Sequence, residues 1–278
     1  MTATLELPLP RLSRGRFASI SAYTDQALFE QHALRIAFTE RAGGLSSGAF
    51  ASLNLGINTD DSPEITQENR RILMQSFEVE DAPCLVPRQV HGNFLCHIAA
   101  DEDNPLKYLN EKNDEGIDAV LIEKDRVAAL LCFADCVPVI IVSPTRRFVV
   151  VHAGWRGVVQ EIVGSSLLRL MECDAEAGQQ VEADQYNVYI GPYIHAECFE
   201  VSSEVLTQFK NQFGDACVRD SCHIDLAKAI ILSLCKLGVS DTRVADLGIC
   251  TMCNNNLFFS YRAQEGVCGR HGAFAIRM

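Results

Sequence analysis

Apolar residues crowd the middle of the chain in short, nearly unbroken bursts. Residues 118–122, 127–133, 137–143 and 148–152 are rich in valine, isoleucine and leucine, the pattern of strands buried on both faces. Residues 34–38 share this character, and 84–91 reads as another strand ending at Gly92. Further strands are predicted at 187–190, 243–247, 257–261 and 274–277. Helical spacing lies between them. Ser62-Pro63-Glu64 is a helix start, because serine caps the first turn and proline is tolerated at its first position. That helix should run to about Phe77, burying Ile65, Ile72, Leu73 and Phe77. A second follows Gly157 to about Cys173, a third covers 202–213, and a fourth covers 225–237, where Gly238 closes it. The glycine- and serine-rich run from Arg41 to Gly48 leads into Ser52-Leu53-Asn54-Leu55-Gly56 as a structured loop, and the acidic stretch 101–118 reads as a solvated loop. Residues 1–12, with two prolines, read as a surface arm. The prediction is an α/β fold, a mixed sheet flanked by helices, in a single compact domain over 13–278.

Composition narrows the function. With 48% hydrophobic and 22% charged residues in 278, the chain has the material for a real core, which excludes disorder. The formal charge of -12 argues against an electrostatic grip on nucleic acid or anionic lipid. The first seventeen residues lack a signal-peptide apolar region, and the longest apolar run, 127–142, contains Asp135 and Pro138. The expectation is a cytoplasmic, monomeric protein without membrane contact, its twelve scattered cysteines mostly reduced.

Three polar residues stand at the ends of apolar strands: His91 in Gln89-Val90-His91-Gly92, Cys136 in Ala134-Asp135-Cys136, and His152 in Val151-His152-Ala153-Gly154-Trp155-Arg156-Gly157. Strand ends are where α/β proteins bind ligands, and two imidazoles with one thiolate make a three-ligand zinc site with a fourth position open to water. The same residues also suit a metal-free mechanism, with Cys136 as nucleophile, His152 as base and Asp135 or Asp118 as the orienting group. Residue types alone leave both open. Cys250-x-x-Cys253, then fourteen residues, then Cys268-x-x-His271 approximates the spacing of a zinc ribbon. His195-x-Glu197 with Cys250-x-x-Cys253 partly matches the signature of zinc nucleoside deaminases, but Ile249 stands in place of the proline. Trp155 and Arg156, in a glycine-flanked turn before a helix, suit an anion or a flat ring. Neither the dinucleotide nor the P-loop glycine pattern occurs.

Taken together, Phe38-Thr39-Glu40-Arg41-Ala42-Gly43-Gly44, Ser52-Leu53-Asn54-Leu55-Gly56, Gln89-Val90-His91-Gly92, Ala134-Asp135-Cys136-Val137-Pro138-Val139, His152-Ala153-Gly154-Trp155-Arg156-Gly157, Gly191-Pro192 and Phe258-Phe259-Ser260-Tyr261-Arg262 resemble the YfiH-like family. This family is also called the laccase-domain or multicopper polyphenol oxidoreductase family, and its members are understood as purine nucleoside phosphorylases. The resemblance spans nearly the whole chain. It implies a compact α/β domain and one zinc, or copper in some preparations, on His91, Cys136 and His152. It implies phosphorolysis of adenosine, inosine and S-methyl-5'-thioadenosine to the base and the ribose 1-phosphate, with adenosine deamination as a second reaction. Purine nucleosides and phosphate are then the partners, with Arg41 and Arg156 as phosphate or ribose contacts, Asn54 and Gln89 as polar neighbours, and Asp135 supporting the ligands from behind. The chain departs from the family in carrying Glu197-Cys198 where paired cysteines are often found, and Cys268 and His271 lie outside the pattern. Two other activities attach to the resemblance: a copper-dependent phenol oxidase, poorly served by seven scattered histidines, and a peptidoglycan-precursor editing hydrolase with Cys136 as nucleophile.

Overall fold

The computed structural model describes residues 6–278. Its elements are β1 (Ser13–Phe17), β2 (Ile20–Thr24), α1 (Gln26–His32), β3 (Leu34–Thr39), α2 (Pro63–Ser76), β4 (Cys84–Leu85), β5 (Leu95–Ile98), α3 (Pro105–Lys112), β6 (Ala119–Ile122), β7 (Ala128–Phe133), β8 (Val137–Val142), β9 (Phe148–Ala153), α4 (Trp155–Val159), α5 (Ile162–Glu176), β10 (Asn187–Ile190), α6 (Ser203–Phe213), α7 (Leu226–Lys236), β11 (Val244–Asp246) and β12 (His271–Arg277).

The strands form two mixed sheets, ordered β1-β2-β3-β12-β7-β4 and β11-β10-β8-β9-β6-β5. The apolar bursts explain why the sheets stack. Side chains alternate across a strand, so Val149 and Val151 of β9 face one way into the core under α4 to α7, while Phe148 and Val150 face the other sheet. β8 divides in the same way, with Val137, Val139 and Ile141 toward the helices and Ile140 and Val142 inward. The first sheet closes the inter-sheet core with Ile36 and Phe38 of β3 and Leu131 and Phe133 of β7. Its outer face is covered by α2 through Leu73, Met74 and Phe77. The layers therefore run helix, sheet, sheet, helices in a single compact α/β domain. Gly191 lets the sheets close, since a Cβ there would lie 2.3 Å from the Phe38 ring.

The α2 start matches its prediction, with the Ser62 side chain accepting from Ile65 N–H and proline in the first turn. Four elements differ. Residues 257–261 are turns, with the N–H groups of Leu257 and Phe258 both donating to the Asn254 carbonyl; Phe258 and Phe259 are buried without sheet pairing. The acidic stretch holds α3, because Asn104 caps it, Pro105 opens it and Leu109 is buried. Of residues 84–91 only Cys84 and Leu85 pair as strand. The helix after Gly157 is two helices, broken at Glu161, whose φ is +58°. Of the predicted arm, residues 1–5 lie outside the described residues; Leu7 is buried and the Pro8 carbonyl accepts from Asn187 Nδ2 at 2.7 Å. Among the described residues, no helix is long and apolar enough to cross a membrane.

Candidate active site

Sheet register brings the strand-end residues together. β8 and β9 are antiparallel with Pro138 opposite His152, so Cys136, just before β8, stands beside the end of β9. β6 flanks β9 with Ala119 opposite Val151. Asp118 therefore lies at the same sheet end, where its carbonyl accepts the His152 N–H at 2.7 Å. The Asp118 carboxylate then gathers the third participant. It accepts backbone N–H bonds from Val90, His91 and Gly92 at 3.2, 3.0 and 2.7 Å, and lies 2.7 Å from His152 Nδ1. One buried carboxylate thus fixes the loop carrying His91 and the ring of His152. The ligand atoms of His91, Cys136 and His152 all lie within 4.8 Å of one another, with the two imidazoles edge to face at 4.7 Å between centroids. Gly154 leaves room for them, since a Cβ there would meet His91 at 2.8 Å and Cys136 Sγ at 3.3 Å.

This donor set fits a metal of the zinc type. With His152 Nδ1 engaged by a carboxylate, Nε2 is the nitrogen left to ligate, the usual arrangement around zinc-bound histidine. The charges are mutually arranged as well. Burial alone would push the Cys136 thiol up, but His152 and His91 outweigh it and hold the thiol at about 6. Burial would lower His152, yet Cys136 and Asp118 raise it to about 9. Asp118 itself, buried but bonded to His152 and to backbone N–H groups, is held below the usual carboxylate range.

The three residues line a cavity of about 700 Å³, a size that admits a small organic molecule. Arg70, Arg88, Arg156, Arg262 and Arg270 also line it, and Trp155, Phe199 and Tyr261 supply flat walls. Of the residues expected to contact substrate, Asp135, Gln89 and Arg156 are on this cavity. Both ends of the Gln89 amide are already bonded to the Cys132 backbone, at 2.9 and 2.8 Å. Asp135 accepts from Thr251 Oγ1 and Arg262 N–H at 2.6 and 2.7 Å, so Asp118, not Asp135, is the group that orients His152.

Arg41 and Asn54 lie off this cavity. Arg41 is not among the cavity residues; its guanidinium donates to the carbonyls of Ala51 and Asn255 and lies over the Phe259 ring. Asn54 is fully buried and ties its own loop to Gly56, Asp61 and the Arg270 N–H. Both are frame residues, and the cavity cations that spacing missed are Arg70, Arg88, Arg262 and Arg270. Arg262 stood in a quoted motif, whereas Arg70 on α2 had no local signal. The zinc ribbon is also corrected. Cys250 and Cys253 do meet, but with Cys198 and Glu197. Cys268 Sγ instead accepts from Arg270, and His271 packs against Phe133 and Phe258. Of the deaminase-like pair, Glu197 lies 3.5 Å from His195 Nδ1 and is exposed.

Known proteins agree with this architecture. Purine nucleoside phosphorylase YlmD of Geobacillus stearothermophilus is 30% identical over 249 residues, covering 86% of this chain and 88% of its own. A purine nucleoside phosphorylase of Bacteroides thetaiotaomicron is also 30% identical, over 259 residues, covering 88% and 89%. The crystal structure of the Geobacillus YlmD superposes with a TM-score of 0.77 at 28% identity, covering 88% of this chain and 92% of that one. The Bacillus licheniformis protein YfiH shares the fold, with a TM-score of 0.80 at 24% identity over 94% and 97%. The profile described as multi-copper polyphenol oxidoreductase laccase matches residues 35–278, and the chain accordingly belongs to that family, the YfiH-like laccase-domain proteins.

Proposed function

We propose that the chain is a purine nucleoside phosphorylase that holds one zinc ion on His91, Cys136 and His152. Its substrates on this reading are adenosine, inosine and S-methyl-5'-thioadenosine, with adenosine deamination as a second reaction. The observation that carries the reading is the meeting of a three-donor centre and five arginines on one cavity of about 700 Å³, in a chain whose relatives bear that name.

In phosphorolysis a phosphate oxygen bonds to the anomeric carbon as the carbon–nitrogen bond to the base breaks, and the base takes the bonding pair and a proton. The sugar gains positive character on the way, so the enzyme must place an anion beside it and support the departing base. Arg70, Arg88, Arg262 and Arg270 each donate to a backbone carbonyl, which fixes them as positive charges along the cavity, and Arg156 offers a planar donor fork for phosphate. Trp155 carries Arg156 at 4.4 Å from its ring and offers a face for a purine. Asp118 keeps His152 in one tautomer and one orientation, with Nδ1 spent on the carboxylate. When bound, zinc supplies a concentrated positive charge that polarises an oxygen or the purine edge set against it.

A second reading is favoured by the Cys136 thiol, held at about 6 next to His152, with Asp118 behind that ring. A thiolate so placed is a competent nucleophile, as an editing hydrolase would need. The two readings part in one experiment. Metal content and phosphate-dependent release of adenine and hypoxanthine are measured for the wild type and Cys136→Ala. Loss of about one zinc per chain together with the phosphate-dependent activity supports the phosphorylase. Metal content unchanged in Cys136→Ala while the activity is lost moves the thiolate reading ahead, whereas phosphate-dependent activity undiminished after exhaustive chelation overturns the zinc and leaves the phosphorylase.

A further inference from the structure

Besides the cavity centre, three groupings of metal-competent side chains occur among the described residues. In the first, Glu123 is already paired with Arg147 at 2.6 Å and with His97 Nε2 at 2.5 Å, so its carboxylate is satisfied by protein groups on both oxygens. The second, Asp220, Cys222 and His223, belongs to one exposed turn whose imidazole bonds its own aspartate at 2.8 Å. The third is built differently. Cys198 comes from the segment after Gly191-Pro192, and Cys250 and Cys253 from the segment after β11, and they converge with Glu197 so that all four ligand atoms lie within 4.8 Å.

Several bonds shape this cluster. Asn254 N–H and Nδ2 both donate to the Cys250 carbonyl, at 3.0 and 2.9 Å, bending Cys250-x-x-Cys253 into a turn that puts its two sulfurs on one side. The His195 N–H donates to Cys250 Sγ at 3.4 Å and holds that sulfur toward the cluster. Cys198 Sγ lies 3.5 Å from Cys253 Sγ.

We propose that Cys198, Cys250 and Cys253, completed by Glu197, form a second, structural binding site for a soft divalent cation of the zinc type. Three thiolates and a carboxylate close the tetrahedral shell with protein ligands alone, which marks a structural site and not a catalytic one. Arg219, 3.8 Å from Glu197, offsets part of the excess negative charge. The site clamps residues 191–199 to 248–254, already joined where Thr251 N–H donates to the Tyr193 carbonyl at 2.9 Å. The clamp stands directly behind the active cavity. Thr251 Oγ1 holds Asp135, the residue before Cys136, while Ile194 and Phe199 lie on the cavity wall.

The test uses the full chain, reduced and stripped of metal, then titrated with Co2+ and with Zn2+. Wild type, Cys198→Ser, Cys253→Ser and Cys136→Ser are compared, and metal-free melting curves check that each variant folds. Cobalt in the cluster should give strong sulfur-to-metal charge-transfer absorption, because intensity grows with the number of thiolates. Cys198→Ser and Cys253→Ser should each lose most of that band and about one equivalent of zinc. Cys136→Ser should lose a different equivalent and keep the band, so the fate of the cavity centre is read separately from that of the cluster. Equal stoichiometry and spectra in wild type, Cys198→Ser and Cys253→Ser would overturn the proposal, as would a Cys198–Cys253 disulfide that persists in the reduced protein.

Discussion

Two buried side chains show how far single residues determine the behaviour of the site. Asp118 accepts three backbone N–H groups and engages His152, so it positions His91 and His152, two of the three proposed ligands, from outside the cavity lining. Asp118→Asn keeps the shape but cannot accept from all four donors, and it loses the charge that favours the imidazole N–H. Zinc affinity should fall about 10- to 100-fold, as for other partners of metal-bound histidine, while Glu123→Gln, remote from the cavity, should leave it unchanged; competition with a chromophoric chelator measures both. His271 makes a different prediction. Burial drives it down to about 3, with Arg270 adding to the effect and the Pro192 backbone offsetting only part of it. The unfolded chain takes up this proton near 6.5, whereas the folded protein resists it down to about 3. Stability from the neutral ring is therefore complete above 6.5 and is lost progressively as pH falls through that window. Each pH unit there should cost about 1.4 kcal/mol, and His271→Leu should flatten the dependence between pH 6.5 and 4.5 in denaturant titrations.

At the scale of elements, the best-defined joint is between α5 and the second sheet. Asp174 on α5 is fully buried and accepts from Ser143 and Thr145 at 2.6 Å, from Arg147 at 2.9 Å, and from the Tyr186 hydroxyl. Asp174→Ala strands these donors, and breaking a buried charged network in this way costs about 3–5 kcal/mol, which denaturant unfolding would register. Elements of this kind were readable where periodicity and burial coincide. The four central strands are apolar on both faces because both faces are covered, so their residues alone place them inside a layered fold. The ends of those strands named Cys136 and His152, and the end of the strand predicted at 84–91 named His91, which the structure places in a loop. Residues 257–261 misled for the same reason, because Phe258 and Phe259 are buried in turns and apolarity reports burial without specifying pairing. The zinc ribbon failed on distance along the chain. Cys198 has no sequence neighbour that announces its meeting with Cys250 and Cys253, and Cys268 with His271 merely sits at a suggestive spacing. Arg70 was silent too, since a helix surface arginine looks solvated until the fold brings it to a cavity.

Over the whole molecule, net charge and the charge lining the cavity have opposite signs. A net charge of -12 repels phosphate at long range, yet five arginines line the wall of one cavity. Within a Debye length, about 8 Å at physiological salt, those guanidinium groups set the local field. The cavity can therefore be attractive to anions although the protein as a whole is not. This separates two arginines that the chain's motifs treat alike. Arg156 lines the cavity and rests on Trp155, whereas Arg41 is spent on the Ala51 and Asn255 carbonyls and on Phe259. If phosphate binds on the arginine wall, Arg156→Ala removes a charge-assisted hydrogen bond worth about 1.5–3 kcal/mol, and the KM for phosphate should rise about 10- to 100-fold with little change in melting temperature. Arg41→Ala should do the reverse, lowering the melting temperature while leaving the phosphate KM close to wild type in the protein that remains folded. Steady-state kinetics with phosphate as the varied substrate, run beside thermal melts of both variants, decides the matter: a phosphate KM that moves with Arg41 and not with Arg156 would take the anion site off the arginine wall.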